Sequence, residues 1–297
     1  MRLADRGQGI GGSPVLRFAP SPTGPLHLGS ALSALTGYDM ACRLGGRFLL
    51  RVEDTDRERC RPEHIRGIRE DLAWLGIRWE EPVLRQSEHL PVYAAAARRL
   101  EQIGLLYPCF ASRAEILAAA DPRGPRDPDG TPHYPGLHKG LGPAEIARRK
   151  SAGQPFTMRL DTRRAVALVA QGIHGALTFL ETDGGGSVGE VACDPARWGD
   201  AVLMRKDGAA AYHLAVVVDD ARQGVTLVTR GQDLFAATDL HRLLQVLLEL
   251  PAPVYHHHAL LMDESGRKLS KSDGDTAIAA LRRDGATPAD IRRRLGL

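Results

Sequence analysis

No run of apolar residues in this 297-residue chain comes near the roughly 18 that a membrane-spanning helix needs. Disorder is excluded too, because hydrophobic residues make up 43% and charged residues 25%, the balance of a chain with a sizeable core. Cysteine is scarce: Cys42, Cys60, Cys109 and Cys193 lie far apart and none falls in the CxxC spacing of a zinc ribbon or redox site, which argues against a disulfide framework. An excess of one charge is also missing. With 39 basic against 36 acidic side chains the formal charge is only +3, so any contact with nucleic acid must come from local patches. The N-terminus, Met1 to Ser13, is Gly-rich and charged, lacks the apolar core of a secretory signal and reads as a loose tail. A cytoplasmic monomer with no membrane partner is expected.

The length is about twice that of a usual single domain, as for one large α/β unit carrying an insertion. Val15-Leu-Arg-Phe-Ala19 is a short apolar run ended by Pro20, and a helical pattern with Leu28, Leu32, Leu35 and Met40 follows a Pro/Gly turn. Arg47 to Val52 reads as a second strand, and Pro62 to Leu75 and Pro91 to Leu100 as helices, the alternation of a doubly wound parallel sheet. Seven of the 19 prolines then fall between Pro108 and Pro143, marking an irregular insertion. Strand-like runs return at Phe156 to Leu160, Ala201 to Met204, Leu214 to Val218 and Val225 to Val228, and Ala236 to Leu250 is a strongly amphipathic helix. A charged loop at Asp263 to Asp275 and two small arginine-rich helices end the chain. The expected division is a tail (1–14), two halves of a Rossmann-like catalytic domain (15–107 and 198–250) around an α/β insertion (108–197), and a C-terminal segment with a loop and short helices (251–297).

Arg17-Phe-Ala-Pro-Ser-Pro-Thr-Gly-Pro-Leu-His-Leu-Gly-Ser30 puts a histidine and a small glycine at the mouth of the first helix, where backbone amides and the helix dipole favour an anion such as a nucleotide phosphate. Alone, His-x-Gly is a weak signal. Lys268-Leu-Ser-Lys-Ser272, far along the chain, offers two lysines and two hydroxyls that can neutralise charge developing during attack on a phosphate. Together, a strand–HxG–helix and a KxSKS loop are hard to produce by accident.

With these two motifs the chain resembles the class I aminoacyl-tRNA synthetases, His27-Leu-Gly-Ser30 standing for the first signature and Lys268 to Ser272 for the second. Arg17-Phe-Ala-Pro-Ser-Pro-Thr-Gly, Leu50-Arg-Val-Glu-Asp-Thr-Asp56 and Val228-Thr-Arg-Gly-Gln-Asp-Leu234 are similar to the glutamyl subgroup. The resemblance spans roughly residues 15 to 275. Ser30 stands where the first signature often has histidine, which removes one phosphate contact. It implies ATP as substrate with Mg2+, His27, Lys268 and Lys271 as catalytic groups, and His27, Gly29, Ser30, Lys268, Ser270 and Lys271 around ATP. It further implies Arg17, Phe18, Ala19, Pro20, Ser21, Glu53, Tyr212 and Arg230 around L-glutamate. The chemistry agrees, because activating the α-carboxylate leaves a γ-carboxylate that needs a cation and an ammonium that needs an anion.

Only 25 residues follow Ser272, where the full glutamyl enzymes carry a helical anticodon-binding region. That length resembles the short glutamyl-Q group of the family, which implies transfer of glutamate to the queuosine base at the wobble position of tRNA(Asp). The alternatives are a short glutamyl enzyme charging a tRNA 3′ end, a small-molecule nucleotidyltransferase of the same superfamily, and a catalytically silent RNA-binding paralogue. Family members often hold zinc in the insertion through Cys-x-Cys followed by Tyr-x-x-x-Cys. Here Ala111 replaces the second cysteine, leaving Cys109, Tyr134 and His138, with His133 beside them. Structural zinc prefers four thiolate or imidazole ligands, so an insertion packed without metal is expected, with zinc the alternative. Cys42 and His256-His257-His258 are read as structural. Arg282, Arg283, Arg292, Arg293 and Arg294 either meet RNA phosphates or solvate two helices, and Arg148, Arg149 and Lys150 are candidate phosphate contacts.

Overall fold

A computed structural model describes residues 12–56, 58–172, 175–262 and 277–297. In chain order the elements are β1 (Val15–Phe18), α1 (Leu28–Arg43), β2 (Arg47–Val52), α2 (Pro62–Trp74), β3 (Glu80–Arg85), α3 (Leu90–Gln102), β4 (Leu106–Cys109), α4 (Arg113–Ala119) and α5 (Pro143–Ser151). They continue with β5 (Thr157–Leu160), α6 (Thr162–Gly172), β6 (Thr178–Thr182), β7 (Val188–Ala192), β8 (Val202–Met204), α7 (Tyr212–Arg222), β9 (Leu227–Gly231), α8 (Ala237–Leu247), β10 (Val254–His258), α9 (Ile278–Arg283) and α10 (Pro288–Leu295).

β1, β2 and β3 pair in parallel, as do β9, β10 and β6, and β7 closes the far edge antiparallel to β6. The two groups meet at β1. The Thr226 amide donates to the Val15 carbonyl at 3.0 Å, and the Val15 amide donates to the Thr226 hydroxyl at 3.0 Å. This juncture brings the C-terminal ends of β1 and β9 side by side, the end at which parallel α/β sheets collect ligands. β4, β5 and β8 form a separate antiparallel sheet. The α/β architecture expected from the alternating pattern is thus present, and the hairpin β6–β7, inside the span expected as an insertion, pairs with β10.

β1 is buried along its whole length, and α1 lays Ala31, Leu32, Ala34, Leu35 and Met40 against the sheet. Gly37 is required in that contact: a Cβ there would sit 2.6 Å from the Thr229 hydroxyl oxygen on β9. Three expectations need correction. Leu214 to Val218 is not a strand but the centre of α7, buried from Leu214 to Asp220; an apolar run with no polar face gives no period by which strand and buried helix can be separated. Cys42 is exposed rather than packed. The proline-rich stretch contains a helix, α4, started by a reciprocal Ser112–Glu115 capping box. At the C-terminus α9 and α10 dock on α2 and α1 through Arg282–Asp71 at 3.6 Å and a bidentate Arg292–Asp39 pair at 2.7 and 2.8 Å. Arg293 pairs with Asp290 at 2.9 Å, so three of the five tail arginines meet carboxylates of their own chain.

Candidate active site

The sheet juncture opens into a cleft of about 540 Å³. Arg17, Phe18, Ala19, Pro20, Ser21, His27, Gly29, Ser30, Glu53, Tyr212 and Arg230 all line it, so every sequence-predicted glutamate and ATP residue that is described reaches one cavity. Lys268, Ser270 and Lys271 lie outside the described residues. The described residues that flank them nevertheless come to the same place: Leu260 and Leu261 line the cleft, Ala277 bridges to His27, and the Ile278 amide donates to the Leu26 carbonyl at 2.8 Å.

His27 is the N-cap of α1, its Nδ1 accepting from the Gly29 amide at 3.1 Å. No acidic side chain occupies the first turn of α1, whose positive N-terminal end faces the cleft.

Arg17 and Arg230, both buried, line the cleft in different electrostatic settings. Arg17, on β1, donates through Nε to Asp220 Oδ1 at 2.9 Å and through Nη2 to Asp220 Oδ2 at 3.3 Å. Arg51, completely buried on β2, donates to Asp220 Oδ1 at 2.7 Å and to Glu53 Oε1 at 3.2 Å. Burial works against ionisation of Asp220, yet the two guanidiniums outweigh it and hold its carboxyl below the usual carboxylate range. For Glu53 the balance is reversed: burial raises its pKa against the pull of Arg51 and Arg17. The neighbouring Asp219 ties α7 to α3, accepting from the Tyr93 hydroxyl at 2.7 Å and from Gln86 at 2.9 Å. Asp54, next to Glu53, accepts from the Ser87 amide and hydroxyl at 2.8 Å each and from Arg85 at 2.9 Å, a structural role.

Arg230, on β9, is also buried, but all its partners among the described residues are neutral. Nε donates to His257 Nε2 at 3.0 Å, Nη1 to His241 Nδ1 at 3.1 Å and to the Tyr212 hydroxyl at 3.5 Å, and Nη2 to the Thr238 hydroxyl at 2.6 Å. Arginine cannot accept, so both imidazole nitrogens facing it must carry lone pairs. His241 then bears its proton on Nε2 and donates to His213 Nδ1 at 3.1 Å. Burial, reinforced by the Arg230 charge, keeps the imidazoles of both histidines neutral: His241 falls well below the ordinary value and His213 to about 4. Sequence reading missed this histidine set and the Arg51–Asp220 pair. A charged residue within the apolar β2 run and an Asp-Asp pair closing the apolar run of α7 were the available signals.

His258, set aside from sequence as structural, also lines the cleft, its Nε2 lying 2.9 Å from the Ser33 hydroxyl. In the insertion, Cys109, Tyr134 and His138 do come together, but they use one another. The Cys109 thiol donates to the Tyr134 hydroxyl at 3.3 Å, the His138 amide donates to the same hydroxyl at 2.8 Å, and His138 Nδ1 accepts from the Phe110 amide at 3.2 Å. His133 is engaged elsewhere, with the Arg197 carbonyl at 2.9 Å. One thiol and one already-bonded imidazole do not fit a structural zinc ion, and no group of three His, Cys, Asp or Glu side chains suited to a metal occurs among the described residues. On α5, Arg148 and Arg149 both pair with Glu145, at 2.7 and 2.6 Å, and the Lys150 ammonium lies over the Phe156 ring at 4.8 Å.

Residues 15–297 match the family described as tRNA synthetases class I (E and Q), catalytic domain. The chain is 48% identical over 291 residues to a Rhodobacter capsulatus protein named glutamyl-Q tRNA(Asp) synthetase, covering 95% of this chain and 100% of that protein. It is 39% identical to a glutamate–tRNA ligase of Parasynechococcus marenigrum, covering 93% of this chain and 56% of the ligase. The crystal structure of a glutamate tRNA ligase from Elizabethkingia meningosepticum in complex with its amino acid superposes with a TM-score of 0.73 at 26% identity, over 96% of this chain and 61% of that one.

Proposed function

The chain belongs to the class I tRNA synthetases (E and Q) through their catalytic domain and is a ligase, and from that premise we propose that it activates L-glutamate with ATP to glutamyl-adenylate, without tRNA, and transfers the glutamyl group to the queuosine base of tRNA(Asp). The observation that carries the activation step is the charge pattern of the cleft: guanidiniums of Arg17 and Arg230, the carboxyl of Glu53 and the N-terminus of α1 share one cavity. A dicarboxylic amino acid beside a phosphate complements that pattern.

In this reading Glu53 takes the ammonium, Arg17 and Arg230 take the side-chain carboxylate, and Tyr212 walls the pocket. The glutamate α-carboxylate attacks the α-phosphorus of ATP, an oxygen–phosphorus bond forms, and pyrophosphate leaves with its bridging oxygen. His27 and the amides opening α1 meet the phosphate, and Lys268 and Lys271 neutralise the charge that develops on it. Mg2+ enters with the ATP phosphates as part of the substrate. A hydroxyl of the acceptor then attacks the glutamyl carbonyl and AMP departs.

Support for the acceptor comes from the similarity over the whole length of the Rhodobacter capsulatus glutamyl-Q tRNA(Asp) synthetase. The test has two stages. Glutamate-dependent ATP–pyrophosphate exchange without tRNA should be measurable, with glutamine and aspartate poor substrates, because an amide leaves buried donors unpaired. Labelled glutamate should then appear on queuosine-containing tRNA(Asp) or its anticodon stem-loop and not on the unmodified RNA, and the product should survive removal of the 3′-terminal adenosine. Transfer that requires the 3′ end of tRNA(Glu) would replace this reading with that of a short tRNA-charging enzyme.

A further inference from the structure

Arg17 and Arg51 share the carboxylates of Asp220 and Glu53, whereas Arg230, only 5% exposed, is surrounded by neutral acceptors among the described residues. A buried cation whose described partners are all neutral keeps its attraction for an entering carboxylate, provided that those acceptors stay neutral and correctly oriented. We propose that His257 and Glu181 are a positioning dyad for Arg230, Glu181 fixing the imidazole tautomer that lets His257 accept the Arg230 Nε–H; this rests on the reading that Arg230 receives a glutamate carboxylate.

Two groups face His257 Nε2, the Arg230 Nε–H at 3.0 Å and the Thr238 hydroxyl at 3.3 Å. His257 Nε2 accepts from Arg230 Nε at 3.0 Å, so the ring proton sits on Nδ1, which donates to Glu181 Oε2 at 2.9 Å. The other Glu181 oxygen accepts the His257 main-chain amide at 2.8 Å, so one carboxylate clamps both the ring and the backbone of the same residue. The ring itself lies parallel to Tyr255 at 6.0 Å and edge-on to Phe235 at 5.0 Å. Without Glu181 the Nδ1–H loses its acceptor and only Arg230 still favours that form, while the Thr238 hydroxyl, 3.3 Å from Nε2, can accept from the other tautomer. Burial depresses the imidazole pKa against the opposing pull of Glu181, so the ring stays neutral beside the cation. The dyad also gives the β6–β7 hairpin a role: β6 places Glu181 opposite Tyr255 on β10, two residues from the imidazole it holds.

The test compares Glu181→Ala, His257→Phe and His257→Gln in glutamate-dependent ATP–pyrophosphate exchange on the full chain. Losing an acceptor to a charged donor predicts that His257→Phe raises the KM for glutamate by roughly 10-fold or more. The KM for ATP and kcat should stay within about two-fold. His257→Gln should restore much of the loss through its amide oxygen, and Glu181→Ala should raise the glutamate KM several-fold. Nitrogen-15 NMR should show His257 protonated on Nδ1 in the parent and a mixture of tautomers in Glu181→Ala. Equal effects on ATP and glutamate without rescue by glutamine, or an unchanged glutamate KM in Glu181→Ala, would overturn the dyad. If His257→Phe fails to fold, Glu181→Ala and the NMR readout decide. If parent exchange does not depend on glutamate, the proposed function fails by itself, and the NMR tautomer still decides for or against the dyad.

Discussion

Replacing Asp220 by asparagine preserves the shape of the side chain and removes the carboxylate on which two buried guanidiniums depend. In the parent, Oδ1 accepts from both Arg17 Nε at 2.9 Å and Arg51 Nη1 at 2.7 Å, and Oδ2 accepts from Arg17 Nη2 at 3.3 Å. Asparagine must turn its NH2 toward one set of guanidinium donors and leaves Glu53 as the only carboxylate among the described residues that Arg51 touches. Breaking a buried pair by removing one partner costs about 3–5 kcal/mol, because the stranded charge stays desolvated. Arg51 has no route to water, so the upper part of that range applies. Urea denaturation at pH 7.5, followed by far-UV circular dichroism, should move its midpoint down by about 1 M or more for a slope near 3 kcal/mol/M. Because Arg17 also loses its anchor, the glutamate KM should rise by about 10-fold at temperatures where the variant is folded. Arg51→Met in the Asp220→Asn background should recover part of the stability but not the KM. A loss of stability below about 1 kcal/mol would refute the claim that this network holds the sheet juncture together.

Burial pushes the pKa of Asp71 up to about 6 despite Arg282. A carboxyl with a raised folded pKa contributes stability that is full below its ordinary value of 3.8 and lost as pH rises through about 6, so Asp71→Asn should gain on the parent chiefly between about pH 4 and 7 in paired thermal melts. Gly37→Ala, which drives a methyl against Thr229, should lower stability by about 1–3 kcal/mol in chemical denaturation, whereas a neutral result would mean that α1 can move away from β9. Lys271→Ala should slow adenylate formation by roughly 100-fold or more with little change in glutamate affinity, as for removal of one preorganised donor; exchange rates within a few-fold of the parent would show the lysine motif to be misassigned.

What could be read from the sequence was local. The strand–HxG–helix entry at Val15 to Ser30 follows from an apolar run, a Pro/Gly turn and a 3.6-residue period, and those features do form β1 and α1. Arg17, Glu53 and Arg230 stand out through motifs that resemble the glutamyl subgroup, and all three reach the cleft. The sequence alone could not separate α7 from a strand, because a run buried on every side has no amphipathic period. Nor could it place the weakly apolar edge strand β3. The distinction between Arg17, paired with Asp220, and Arg230, held by neutral imidazoles, belongs to the tertiary structure alone. Their partners lie 203 and 27 residues away in sequence, and the hydrogen-bond direction that fixes each histidine tautomer exists only once β6, β9, β10 and α8 have packed together. The family's zinc pattern likewise brought Cys109, Tyr134 and His138 forward as a degenerate metal set, and the structure shows these side chains bonded within the chain.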